Sequence, residues 1–206
     1  MKKVFLMTLA LGLMVCFAAC KHEKKVELSS QKAELNVENV VSADRQQMYL
    51  NYGGDYRWYE TCILLNNFLD EETDTLIAGV SNVFQVVTEF DSSSFDVHVI
   101  LVAHTPDTSS ITVKEGFWVE DYPMNEDSIR ISFKEAYDLI MATNYPKPHS
   151  KHCVLRKEIG SKECNPQYIF GNSHAQLYVD AVTGKVSPEN PAFEGLNMGC
   201  PLGEWP

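Results

Sequence analysis

What this chain has little of narrows it first. Basic residues are outnumbered: 17 lysines and arginines stand against 28 acids, for a formal charge of −11. An acidic chain repels phosphate backbones and anionic headgroups, which argues against nucleic-acid partners and holds a folded body off a bilayer. Long apolar runs are scarce as well. The longest, Val4 to Ala19 behind Met1-Lys2-Lys3, falls short of the roughly 20 residues that a membrane-spanning helix needs. It has the charged start and short apolar core of an export signal, so residues 1–20 are set apart from the fold. There is no glycine-rich phosphate cradle, no acidic calcium loop and no glycine-framed nucleophile elbow. Neither a catalytic residue nor a resident metal or cofactor is expected.

The signal closes on Phe17-Ala18-Ala19-Cys20, which resembles a bacterial lipobox. That resemblance implies that Cys20 is lipidated and becomes the N-terminus, and several acyl chains anchor a protein stably where one does not. Lys21 stands where an aspartate favours inner-membrane retention, so outer-membrane attachment is expected, with the face left open between periplasm and exterior. Loss of residues 1–20 removes two lysines and no acid, which takes the charge from −11 to −13. Such a surface suits a basic partner or simply solubility.

Of six cysteines, Cys16 leaves with the signal and Cys20 takes lipid, leaving Cys62, Cys153, Cys164 and Cys200. An even number in an exported chain points to two disulfides. Proximity favours Cys153–Cys164 with Cys62–Cys200, and closing so short a loop contributes about 3 kcal/mol in the chain-entropy model. Against it, a tight hairpin turning at Ser161-Lys162 sets Cys164 opposite Ile159, with Cys153 far down the strand. The other pairing is Cys62–Cys153 with Cys164–Cys200.

Residues 21–40 are polar, rich in lysine and glutamate, and read as a flexible tether. Residues 41–125 read as a β-rich region, in which Ser42-Ala43-Asp44 caps a short helix through Tyr52. Strands follow at Arg57–Leu65, Thr75–Phe90, Phe95–His104 and Ile111–Val119, parted by short polar turns. Val80, Val83, Val86 and Val87 decide the second of these for strand over helix, because β-branched side chains are stiff at χ1. Beyond Tyr122-Pro123-Met124 lies a further unit, residues 126–190, which opens on Ser132-Phe133-Lys134-Glu135. This is a capping box, and Phe133, Ala136, Tyr137 and Ile140 make one apolar helix face. Three strands come next: His152–Ile159, Gln167–Phe170 and Gln176–Val182. The fold class is therefore α+β, built of antiparallel meanders with a capped helix on a three-stranded sheet. The tail, residues 191–206, carries Phe193, Leu196 and Trp205 and is expected to pack back over the body. Ser42–Cys62 and Ser132–Cys153 are spaced alike, a faint echo between the halves without repeated identities.

Few residues cluster as chemistry requires. His149-Ser150-Lys151-His152-Cys153 has metal-ligand types but too few of them for a site. His98 and His104 share one face of a strand at a spacing too long to hold one ion. Ser173-His174 puts serine beside histidine on a turn, where neighbours do not meet in catalytic geometry, and Asp70–Asp74 reads as a solvated charge run. The aromatics are a better lead: Trp58, Tyr59, Phe117, Trp118, Tyr122 and Trp205 would form a binding face if exposed, though Trp58 and Phe117 are expected in the core.

One stretch, Ala175–Val186, combines a strand, Leu177-Tyr178-Val179, with a turn through Asp180, Thr183 and Gly184. Asp180 offers a short acceptor and Gly184 admits φ > 0, so these three are read as turn makers and not as catalytic groups. Together with the capped start Ile131–Ala136, this stretch resembles a PepSY domain, a small α+β module of secreted-protease propeptides and bacterial envelope proteins. The resemblance spans about residues 128–188. It implies a non-catalytic binding protein that controls an envelope or secreted protease, through a strand edge or by occluding a cleft. The competing reading is a structural or small-ligand envelope lipoprotein that holds a peptide, glycan or cation.

Overall fold

A computed structural model describes residues 26–29, 35–69, 71, 76–91, 94–160 and 163–193. The expected signal with Cys20, and the tail beyond residue 193 with Cys200, lie outside them.

Among the described residues two α-helices form where an apolar stripe meets a cap. Helix α1, Val37–Tyr52, starts at Asn36, whose side chain accepts from the Asn39 N–H at 2.8 Å, and stops at Gly53, whose φ is 61°. It begins upstream of the expected Ser42 cap. The buried stripe is Val37, Val41, Asp44 and Met48, at helical spacing, so the acid taken as a first-turn cap is a mid-helix core position. Helix α2, Phe133–Ala142, opens on the expected capping box, with Ser132 and Glu135 serving each other's backbone N–H. A further acceptor comes from the first helix: Glu38 Oε1 takes the Phe133 N–H at 2.6 Å. The two helix starts are thereby tied together.

Among the described residues ten strands are formed: β1 Val26–Ser29, β2 Tyr56–Leu65, β3 Ile77–Asp91, β4 Ser94–His104, β5 Thr108–Glu115, β6 Asp121–Tyr122, β7 His152–Glu158, β8 Gln167–Asn172, β9 Ala175–Asp180 and β10 Val186–Ser187. Nine of them pair antiparallel in the order β1-β5-β4-β3-β2-β7-β8-β9-β10, and β6 adds to β7. The α+β class with antiparallel meanders is as expected. Part of the expected tether is ordered, since β1 pairs with β5 and α1 takes in residues 37–40.

The order describes two similar units, α1-β2-β3-β4-β5 and α2-β7-β8-β9-β10, joined through their first strands. Five antiparallel pairs make the seam, from Glu60↔Arg156 to Leu64↔His152, with Cys62↔Val154 at its middle. Antiparallel joining about that middle sends both helices to one face, where Val37, Val41 and Met48 share a single core with Phe133, Ala136 and Ile140. On that helix face stand Ile63, Val80, Phe84, Ile100, Cys153, Leu155, Tyr168, Phe170, Leu177 and Val179, all buried. The opposite, open face carries the alternate residues.

This pairing excludes the two bridges expected at Cys153, to Cys164 and to Cys62, whereas those expected to Cys200 lie outside the described residues. Cys153 is paired with Ile63, so Cys62 and Cys153 are adjacent in register yet point to opposite faces. Cys153 pairs with Phe170 in β8, which leaves Cys164 six residues further along, beyond bridging distance of two Cα atoms. The echo between Cys62 and Cys153 is off by one residue, because Cys62 corresponds across the seam to Val154.

Ser132→Ala should cost about 1 kcal/mol by removing one half of the capping box. Urea unfolding followed by far-UV circular dichroism measures it, and a Ser132→Asn variant should recover most of the loss.

Candidate binding loop and cavity

The segment between β5 and α2 crosses the open face, tied to the sheet by three hydrogen bonds and braced by one within itself. Gly116 N–H donates to Val97 O at 2.9 Å, Trp118 N–H to Gln85 Oε1 at 2.8 Å, Trp118 Nε1 to Asp121 Oδ2 at 3.2 Å, and Met124 N–H to Trp58 O at 2.7 Å. Because Trp118 is drawn inward, its neighbours are turned out. Phe117 is 69 % exposed and Val119 73 %. Tyr122, at 43 %, continues the apolar surface, with Lys157 Nζ 5.7 Å from its ring centre. The expectation that Phe117 lies in the core is therefore wrong, whereas Trp58 is buried as expected. Fixed, exposed apolar side chains flanked by Glu115 and Glu120 are what a docking loop presents.

Beneath the loop, one guanidinium serves three carboxylates. Arg156 Nε lies 3.7 Å from Asp121 Oδ1, Nη1 lies 3.8 Å from Glu60 Oε2, and Nη2 donates to Glu158 Oε1. The two longer contacts are ion pairs without hydrogen bonds, and Asp121 Oδ1, Arg156 Nε and Glu158 Oε2 are buried without a hydrogen-bond partner. Burial raises the Asp121 carboxyl to about 6, with Glu60 and Glu158 adding to the rise and Arg156 and Trp118 opposing it. Burial, then the charge and hydrogen bond of Glu60, also push the Cys62 thiol up to about 12. Burial holds Cys153 and Cys164 high as well, so none of the three is an activated nucleophile.

On the helix face a second polar network ties α1 to the sheet. Asp44, 5 % exposed, accepts from His104 Nε2 at 2.8 Å and from Asn82 Nδ2 at 2.7 Å. Asn82 in turn accepts from Thr61, whose hydroxyl receives Trp58 Nε1 at 3.2 Å. Ser109 Oγ lies 2.8 Å from His104 Nδ1. Since the carboxylate only accepts, His104 Nε2 donates to it, and Ser109 Oγ faces Nδ1. This serine–histidine–aspartate row has the contacts of a catalytic triad, with the ring nitrogens in exchanged roles. Ser109, however, lies within β5, its main chain paired to His104 on one side and Leu28 on the other. Its backbone is committed to the sheet and leaves no free N–H beside the hydroxyl to receive an oxyanion. The network is a buried tie. No proximity in sequence announced it: Asp44, Asn82 and His104 come from three elements, and only an acid at an apolar helix position hinted at a partner.

Other residues singled out in the sequence resolve plainly. His98 bonds Asp96 at 2.8 Å, and His149 stacks on Phe68 with ring centres 3.8 Å apart. Asn172 Oδ1 accepts from the His174 N–H at 2.9 Å, so Ser173-His174 is hairpin turn. There, Gly171 holds φ 131°, and a Cβ would come within 2.1 Å of Ala175 O. The residues 70–74 are described only at Glu71. Asp180, Thr183 and Gly184 do build the β9–β10 turn: Asp180 Oδ1 accepts from the Val182 and Thr183 N–H groups at 2.9 and 2.8 Å, and Gly184 takes φ 73°. Burial opposes ionisation of Asp180, but the Asn165 amide and the turn N–H groups outweigh it and hold the carboxyl below its ordinary value.

That turn borders a cavity of about 650 Å³. Its walls come from Pro123 and Met124, from the stretch before β8 through Pro166, and from Lys185 to Pro191, with Gln167 on the floor. Sequence reasoning missed it, because its lining is drawn from four separate loops. Among the described residues no cluster of histidine, cysteine, aspartate or glutamate fits a metal ion, and no helix is long and apolar enough to cross a membrane.

Compared with protein-family models, curated proteins and solved structures, the chain matches none.

Two outcomes follow from the buried groups. Asp121 binds its proton more tightly folded than unfolded, so between about pH 4 and 6 the native state holds more protons and stability falls as pH rises, by up to about 3 kcal/mol. Asp121→Asn should flatten that window and be the more stable protein at pH 7, measured by urea midpoints across pH. Asp44→Ala strands His104 and Asn82 and should cost about 2–4 kcal/mol in the same measurement.

Proposed function

We propose that this protein is an exported, lipid-anchored binding protein of the cell envelope that restrains an envelope or secreted protease, and that it acts without catalysis. The observation that carries this reading is the Phe117–Tyr122 loop, whose exposed apolar side chains are held by hydrogen bonds on both sides. A loop fixed before binding loses little entropy on docking, which is how a protruding segment fills a cleft at useful affinity. The flanking acids Glu115 and Glu120, on a chain of charge −11, favour a cleft rimmed by basic residues. The resemblance of residues 128–188 to PepSY modules supports a protease as the partner. The lipobox-like Phe17–Cys20 supports anchorage through Cys20, and Lys21 supports the outer membrane as its site.

Proteases exported by the same cell, assayed with purified mature protein, should be inhibited in a saturable way. Phe117→Ala with Val119→Ser should weaken inhibition at least tenfold while leaving the melting temperature within a degree or so, since both side chains are exposed. Inhibition unchanged in the double variant, or none against any co-exported protease, overturns the reading.

A further inference from the structure

We propose that the cavity beside the β9–β10 turn is a binding site for a small zwitterion, of the class of a short peptide with free termini. Its volume, about 650 Å³, lies within the range that takes small molecules. The chemical class follows from which lining groups are already used. The Asp180 carboxylate is saturated by Asn165 and the turn N–H groups. Glu163 is paired with Lys157 at 2.9 Å. Ser128 donates to Asn125 O, and Ser187 donates to Glu189 O at 2.9 Å.

Two charged groups remain. The Lys185 ammonium and the Glu189 carboxylate, both exposed, border the cavity with no side-chain partner among the described residues. One free cation and one free anion complement a ligand bearing both an ammonium and a carboxylate, so Glu189 would take the ammonium and Lys185 the carboxylate. Apolar walls at Pro123, Met124, Pro166 and Pro191 suit small side chains between those ends. Proline and the turn keep the site formed before binding.

This inference is independent of the loop reading, because neither Lys185 nor Glu189 belongs to the Phe117–Tyr122 segment. Isothermal titration of the mature protein with trialanine, N-acetyl-trialanine and trialanine amide tests it. Trialanine should bind, and each blocked form should bind at least tenfold more weakly. Lys185→Gln should abolish the penalty for the amide while keeping that for the acetyl form, and Glu189→Gln should do the reverse. Both variants should keep the wild-type melting temperature. No binding of trialanine at millimolar concentration, equal binding of free and blocked peptides, or variants without effect on the pattern would overturn the proposal.

Discussion

Everything in this fold depends on the antiparallel seam between β2 and β7. Each half, a helix and its meander, has one apolar sheet face to bury and one first strand with an open edge. Pairing those first strands removes two edges at once and aligns the two apolar faces into one core. Antiparallel joining also places both helices on the same side, where Glu38 of α1 reaches the start of α2. The opposite face is then left to the chain segments that leave each meander. The 116–124 segment and the 188–193 segment both fold back toward it, the latter packing Ala192 against Gly160.

Charge is handled differently on the two sides of the sheet. On the helix face the one acid in the α1 stripe, Asp44, is met by His104 and Asn82, so burial costs little and the helix gains a fixed position. On the open face three carboxylates share Arg156, and hydrogen bonds do not satisfy all of them. The consequence is an Asp121 carboxyl raised to about 6 by burial within the exposed loop itself. Low local satisfaction there contrasts with the saturated turn at Asp180, which forms a stiff border to the cavity.

How much was legible in the sequence depended on how local the physics is. The capping box at Ser132, the apolar face of α2, the strand character of 77–91 and the Asp180–Gly184 turn are each decided by residues within a few positions of one another. They could be read directly. The start of α1 could not, because its stripe contains Asp44, which looks polar until His104 and Asn82 are beside it. Phe117 was misplaced for a similar reason. Its hydrophobicity argues for burial, yet the distant Gln85, together with nearby Asp121, claims Trp118 and so decides which neighbour faces out. The two pairings at Cys153 failed on strand geometry, since side chains alternate and adjacent register does not mean the same face.

By itself the sequence determined the α+β class, the two meanders and the acidic balance, all of which follow from composition, period and turn chemistry. Tertiary structure alone decided the β2–β7 seam, the separation of Cys153 from Cys62 and Cys164, the outward Phe117 and Val119, and the cavity assembled from four loops. The physical reason is range. Propensity and capping act within a turn of helix or a strand pair, whereas partners for a buried acid, an indole or a thiol come from whichever elements the sheet order brings together.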